Sequence, residues 1–343
     1  MRLLSLMLLS VAVLFSKAED VNHSATSFDI VEPTNKALYT GERATFVIKV
    51  LSKEIDRLVI VQDEGTTEEI KVLPTKRTYC KTINLHVGDN SIQVQSYHGT
   101  TLIESRATEL YFLSELFEGL DDEPEGFKRY YFHTDNEENG CKACHNMTSN
   151  VPTDGEPFED VTKTTCYECH HGMLNTKNTH APAANWLCLD CHDGKIGEYN
   201  MQDEGKSKYL VRDPVERNCD DCHDVLQEWH SKKYSHGPVN DGRCIRCHNP
   251  HGSEHEFFLR KSIWDLCTTC HSEKATGKHI VSSFVFARNK GAHPTRGPKD
   301  PARPERSFAC SSCHNPHGSN GIYLLRMKGS MPFNVCNRCH KKI

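Results

Sequence analysis

Residues 244–253 read CIRCHNPHGS, and residues 310–319 read CSSCHNPHGS. Both contain the pattern C-x-x-C-H, which occurs eight times between residues 141 and 340. This pattern attaches c-type haem, because its two thiols add across the porphyrin vinyl groups and the adjoining imidazole binds the iron. The sequence therefore predicts eight covalently bound c-type haems, with thioether bonds to Cys141, Cys144, Cys166, Cys169, Cys188, Cys191, Cys219, Cys222, Cys244, Cys247, Cys267, Cys270, Cys310, Cys313, Cys336 and Cys339, and with proximal iron ligands His145, His170, His192, His223, His248, His271, His314 and His340.

The cysteine count supports this interpretation. The chain has seventeen cysteines, and all but Cys80 belong to the eight motifs. Zinc knuckles also use C-x-x-C, but zinc ligation gives no reason for a histidine directly after every knuckle. Disulfides are the second alternative in an exported protein, and they leave the same eight histidines unexplained. Covalent haem is the interpretation that uses every residue of the pattern.

Residues 129–343 contain no apolar stretch long enough for a core-forming sheet or a helical bundle. A segment of this composition cannot bury enough side-chain surface to fold by itself. It carries about one motif per 25 residues, so the macrocycles must themselves form the core. We expect a loop-rich, haem-cored cytochrome domain with short helices, in which the haems lie close enough to exchange electrons rapidly.

Further histidines recur before every second motif. His133, His180 and His236 each stand eight residues before the first cysteine of the next motif. His293 takes the corresponding place before Cys310, displaced by an insertion of nine residues. The domain is therefore predicted to consist of four two-haem repeats that begin near residues 133, 180, 236 and 293.

The two stretches quoted first add a second imidazole, His251 or His317, three residues after the proximal histidine. They resemble the doubled-CXXCH family of multihaem cytochromes, and the resemblance covers residues 236–340. It implies that the Pro-His imidazole is the distal ligand of a neighbouring haem. The first two repeats depart from this pattern, since Thr148 and Lys195 stand in its place.

Two other histidines are candidates to substitute in the first two repeats, namely His171 and His230. His171 directly follows a proximal histidine, and this Cys-His-His run resembles the small cytochromes c3 and c7, in which the second imidazole serves another haem. His255 and His279 are then spare. The candidate distal ligands are His133, His171, His180, His230, His236, His251, His293 and His317. This set makes every iron six-coordinate, although the spacing does not pair individual histidines with haems.

Iron with two imidazole ligands has no open position for substrate, so the sequence favours an electron carrier over an enzyme. Catalytic multihaem relatives such as nitrite reductases keep one five-coordinate haem, commonly marked by C-x-x-C-K, and that pattern does not occur here. One alternative is a multihaem reductase, which would require a haem without a distal histidine. A second alternative is a subunit of a polymerising extracellular cytochrome filament.

The amino-terminal third has a different character. Residues 1–18 have a basic residue, an apolar run and a small-x-small site, which predict a secretory signal peptide. Residues 19–114 carry about seven short alternating segments separated by turn residues, which predict an all-β immunoglobulin-like sandwich. Residues 115–128 are rich in acidic side chains and are predicted to be a linker. The octahaem cytochrome domain then spans residues 129–343.

The formal net charge of −5 provides no basic footprint for nucleic-acid binding. No segment after the predicted signal peptide is apolar enough to span a membrane. Because haem attachment follows export, we expect a protein of the periplasm or the cell surface. Its expected partners are redox proteins or an extracellular electron acceptor in anaerobic respiration, with self-assembly in the filament alternative.

Overall fold

The computed structural model describes residues 26–117, 123–151, 160–224, 226–276, 279, 293–326 and 332–340. The chain divides into two compact units, one of residues 1–37 and 42–111 and the other of residues 38–41 and 112–343. The predicted signal peptide lies outside the described residues, as do residues 118–122 of the predicted linker. The domain bounds drawn from the sequence stay predictions.

The first unit consists of short β-strands arranged in two sheets. In one sheet β3 lies between β1 and β6, and the other sheet includes the strand order β5-β4-β7-β8-β2. The predicted β-sandwich at the amino-terminal end is therefore confirmed. The strands are β1 (Phe28–Glu32), β2 (Ala37–Tyr39), β3 (Arg43–Val50), β4 (Arg57–Gln62), β5 (Thr67–Lys71), β6 (Thr78–Asn84), β7 (Gly88–His98) and β8 (Thr101–Phe112).

Alternating side chains explain why these strands bury one face. Ala44, Phe46 and Ile48 on β3 are fully buried, as the alternation predicted. Each fully buried aliphatic or phenylalanine side chain contributes about 1.5–3 kcal/mol relative to exposure. Cys80 lies on β6 opposite Val47 and is exposed, so it is not part of this core.

The second unit is loop-rich, with short helices, as predicted. Its longest described helices have eight residues, and no helix of the described residues is long and apolar enough to cross a membrane. The α-helices are Asp135–Lys142, Tyr167–His170, Ala181–Ala184, Glu216–Asp220, Leu226–His230, Gly237–Asn240, Ile263–Cys270 and Cys310–Cys313. The 3₁₀ turns are Val161–Lys163, His171–Leu174, Cys188–Asp190, Met201–Asp203, Cys244–Arg246, Glu256–Phe258, Ser272–Lys274, Ile322–Leu324 and Pro332–Arg338. The remaining strands are β9 (Lys128–Arg129), β10 (Asn178–Thr179) and β11 (Gly252–Ser253).

Buried apolar side chains are sparse in the second unit. Trp186 is the largest, at 2% exposure, and it is joined by single residues such as Val151, Val215 and Leu266. A close-packed protein interior needs a contiguous cluster of such side chains. These residues are therefore too few to form the core of a unit of this size.

Candidate haem-binding sites

Each C-x-x-C-H motif folds as one helical turn. In all eight motifs the backbone N–H of the histidine donates to the carbonyl oxygen of the first cysteine, over 2.8–3.1 Å. This i to i+4 bond brings the imidazole onto the same face as the first thiol. The local geometry is thus the same at every motif, as the identical spacing leads one to expect.

A large cavity of about 2930 Å³ runs through the second unit. A pocket for a single small ligand has a volume of about 300–1,000 Å³, so this space is several times larger. All eight proximal histidines line it, and so do both cysteines of every motif after the first. The motifs therefore converge on one shared interior.

Seven of the eight proximal histidines lie near a second imidazole. The ring centres of each pair are 6.0–6.3 Å apart. With the proximal member second, the pairs are His133–His170, His180–His223, His251–His192, His236–His271, His317–His248, His279–His314 and His293–His340.

This separation fits a metal ion held between two imidazoles. A metal–imidazole bond is about 2.0–2.1 Å long and the ring centre lies roughly 1.1 Å beyond the nitrogen, so two rings on opposite sides of one ion have centres about 6.2 Å apart. Directly stacked rings come closer, as Trp229 and His317 show at 4.1 Å. In the part of the chain that the structure describes, no three His, Cys, Asp or Glu side chains form a metal-binding group. Haem brings its own four nitrogens and needs only the two imidazoles, so the residues fit haem iron.

The pairing follows the repeats. The histidine that opens a repeat pairs with the second motif of the same repeat, as His133 does with His170 and His180 with His223. A Pro-His imidazole instead pairs with the first motif of the preceding repeat, as His251 does with His192. Consecutive repeats therefore interlock through their histidines.

Short antiparallel pairings hold these histidines in place. In β10 and β11, Asn178 pairs with Ser253 and Thr179 with Gly252, which sets His180 beside His251. The N–H of His180 donates to the His251 carbonyl over 3.1 Å. One repeat further on, Tyr234 forms an antiparallel bridge with Ser319. These residues stand two positions from His236 and His317, as Asn178 and Ser253 do from His180 and His251.

Hydrogen bonds at Nδ1 orient several of the rings. Because a carbonyl oxygen can only accept, each such bond places the proton on Nδ1 and leaves the Nε2 lone pair for a metal. The Nδ1 atoms and their carbonyl partners are His180 with Pro250 at 2.9 Å, His192 with Tyr209 at 3.0 Å, His248 with Phe257 at 2.7 Å, and His314 with Tyr323 at 2.6 Å.

Burial favours the neutral form of the two Pro-His imidazoles, His251 and His317. It lowers the pKa of His251 to about 4, with a further contribution from neighbouring imidazoles, first among them His192. Burial and the neighbouring His248 likewise lower the pKa of His317 to about 4. A neutral imidazole is the form that binds metal. These environments therefore favour the ligand-competent state at neutral pH.

The buried carboxylate of Glu138 lies beside His133 and was not predicted from the sequence. The Glu138 side chain is fully buried and lies 3.2 Å from His133 Nδ1 and 2.6 Å from Lys208 Nζ. Burial alone would raise the pKa of Glu138, but hydrogen bonds from Lys208 and His133 hold it below its ordinary value. Because Lys208 lies far along the chain, no local pattern signals this cluster.

Three further histidines have environments that the sequence does not specify. His279, counted as spare, lies 6.2 Å from His314. His171 stacks on Tyr167 at 5.5 Å, and the Nε2 atom of His230 lies 3.4 Å from Glu216. The cavity lining includes His279 but neither His171 nor His230. Their assignment as distal ligands stays a prediction.

Thiols of successive motifs contact one another. Cys188 lowers the pKa of Cys166, whereas Cys244 and Cys310 raise the pKa values of Cys219 and Cys267, so the first cysteines of these consecutive motifs are neighbours. Burial raises the pKa values of Cys191, Cys247 and Cys313, and the second cysteines of the following motifs, Cys222, Cys270 and Cys339, raise them further. The second to the eighth motif therefore follow one another in space in their chain order.

Two solved structures are similar to about a quarter of the chain, both with low TM-scores. One match is to fibronectin(III)-like modules of Clostridium thermocellum CbhA, with 15% identity over 25% of this chain and 97% of that one, and a TM-score of 0.21. Another is an engineered protein with 10% identity over 25% of this chain and 20% of that one, and a TM-score of 0.20. The sandwich assignment accordingly rests on the strands themselves.

Sequence comparison identifies the cysteine-rich part. Residues 236–276 and 303–343 match the family described as doubled CXXCH motif. The multiheme cytochrome MtrA of Shewanella baltica (strain OS185) is 27% identical over 187 residues, which are 52% of this chain and 46% of that protein. The chain thus spans about half the length of this relative. Together with the repeated motif turns and the paired imidazoles, these matches support a doubled-CXXCH multihaem c-type cytochrome, with the family's motif itself matched at residues 236–276 and 303–343.

Proposed function

We propose that this chain is an exported octahaem c-type cytochrome that transfers electrons along closely packed haems. The observation that carries the proposal is the set of seven imidazole pairs, each with the separation that a single iron requires. The remaining motif, which contains His145 and is the first in the chain, has the same helical turn as the other seven. Its attachment chemistry is therefore the same.

The pairs support a specific distal ligand set. Six members come from the sequence-based set, namely His133, His180, His236, His251, His293 and His317. We add His279, which lies 6.2 Å from His314. The two histidines that do not line the cavity, His171 and His230, are left out of the proposed set.

Bound c-type haem supplies one-electron chemistry. The residues of the chain decide where that chemistry takes place, because each motif turn fixes one attachment point and each distal histidine fixes one axial direction. The cysteines of consecutive motifs are neighbours in space, as Cys219 and Cys244 are, so their attachment points are adjacent. The proposed electron path therefore follows the chain order of the motifs.

The remaining features concern location and partners. Haem attachment takes place after export, and residues 1–18 supply a signal for it. The periplasm or the cell surface is the proposed location, with a redox protein or an extracellular acceptor of anaerobic respiration as partner. The sandwich is proposed to be an immunoglobulin-like docking module, since its two sheets and short strands suit that architecture.

Counting the haems tests the proposal. Denaturing mass spectrometry and the pyridine haemochrome assay of the exported protein should both give eight haems per chain. Replacing Cys310 and Cys313 with serine should lower the count to seven, whereas the control Cys80→Ser should leave eight. A wild-type count below eight, or zinc in place of haem, would contradict the octahaem assignment.

A further inference from the structure

The first motif differs from the other seven on its distal side. Among the described residues of the second unit, no imidazole lies at the paired distance from His145. His145 nevertheless lines the shared cavity and has the same motif turn as the others. The difference therefore concerns the sixth ligand and not the attachment.

The repeats show which position is changed. Each odd-numbered motif is followed by the same turn. In this turn the third residue after the proximal histidine donates its N–H to the side-chain oxygen of the first residue after that histidine. These bonds join Thr148 to Asn146 at 3.1 Å, Lys195 to Asp193 at 3.0 Å, His251 to Asn249 at 3.1 Å, and His317 to Asn315 at 3.4 Å. The same turn thus presents a threonine in the first repeat, a lysine in the second and a histidine in the third and fourth.

In the third and fourth repeats this turn presents a histidine to the first motif of the repeat before. His251 reaches His192 in this way, and His317 reaches His248. The equivalent residue that would serve His145 is Lys195. Its side chain is 66% exposed, and its amine pairs with Asp193. At the histidine that opens the first repeat, His133, the backbone partner is also a lysine and not a histidine. The N–H of Lys208 donates to the His133 carbonyl oxygen over 2.9 Å.

The other two candidates are engaged outside the cavity. His171 donates from Nδ1 to the Tyr167 carbonyl oxygen and stacks on the same tyrosine. His230 lies beside Glu216. Glu168 is the charged group nearest His145, with Oε1 3.2 Å from the buried Nδ1. That nitrogen is on the side of the ring that does not bind metal when Nε2 is the ligand.

We infer that the haem site of Cys141, Cys144 and His145 has no imidazole of the second unit as its sixth ligand and binds small donors such as carbon monoxide, nitric oxide or cyanide. The inference rests on the proposed function, because it requires haem at this motif. It makes the first site chemically distinct from the other seven.

Ligand stoichiometry on the intact holoprotein tests the inference. We expect the reduced protein to bind one carbon monoxide per chain, against a haem count of eight measured on the same sample. Replacing Cys141 and Cys144 with serine should lower both numbers by one. The matched variant with serine at Cys166 and Cys169 should lose one haem and keep its carbon monoxide. Lys195→Ala should keep both.

Because a haem-deletion variant can fail to fold, Glu168→Gln offers a second measurement. It should shift the iron–histidine stretching band of the ligand-free, reduced high-spin haem, since Glu168 faces His145. An unchanged band would overturn the assignment to this site. Eight haems with no carbon monoxide bound would overturn the inference and leave the proposed function standing. Fewer than eight haems, with the first motif unmodified, would instead refute the octahaem count.

Discussion

Removing the distal imidazole of the third motif tests the ligand assignment most directly. His251 and His192 have ring centres 6.0 Å apart, so an iron midway would lie about 3.0 Å from each centre, which matches a bond of about 2.0 Å plus the ring offset. His251→Ala takes away one of its two axial ligands. No other described imidazole is paired with His192, so one haem in eight should become five-coordinate.

Carbon monoxide uptake measures this change. The count should rise by one per chain, from one to two if the first site is already open, while the haem count stays at eight. About one-eighth of the total haem should also become high-spin, and added imidazole should reverse both effects. His255→Ala is the matched control, because His255 stands four residues away and does not line the cavity. Equal effects of the two substitutions, or no effect of His251→Ala, would refute the pairing.

Three further predictions concern other parts of the molecule. Gly252→Ala should separate β10 from β11 and make the third and fourth haems reactive with carbon monoxide. The reason is that Gly252 has a φ of +149° and a Cβ there would lie 2.6 Å from the Asn178 carbonyl oxygen. The control Gly237→Ala should have no such effect, because nothing lies within 4 Å of a Cβ at that position. Glu138→Gln should raise the midpoint potential of one haem in a redox titration, since the carboxylate at Nδ1 makes His133 a more basic ligand, and an unchanged titration would contradict this role. Glu104→Gln should destabilise the sandwich at neutral pH: burial raises the pKa of Glu104, but hydrogen bonds from Ser27 and Arg106 outweigh it and lower the pKa. That stabilisation is present above the unfolded pKa of about 4.3 and is lost as the pH falls through the lower folded value, so hydrogen exchange of residues 28–112 should differ between the two proteins at pH 7 and converge in acid.

Much of the local structure was predictable. The alternation in Arg43–Val50 identified side chains that are buried in the sandwich, such as Phe46 and Ile48, because a strand turns every second residue to the same face. The eight motifs likewise predicted eight equivalent turns. The recurrence of histidines before every second motif indicated the two-haem repeats that the imidazole pairs follow.

The positions of His171, His230 and His279 relative to the cavity were not predictable. All three are histidines in polar surroundings of similar sequence character. Their difference is spatial, since His279 lies 6.2 Å from His314 while the other two contact Tyr167 and Glu216. No periodicity within the chain distinguishes these environments.

By itself the sequence predicted eight attachment sites and their order, because five consecutive residues define each site. Only the tertiary structure determined which histidine lies beside which motif. The deciding contacts join segments far apart in the chain, as where His180 Nδ1 meets the Pro250 carbonyl across 70 residues. Such pairings depend on how the repeats pack against one another, and spacing along the chain does not encode that packing.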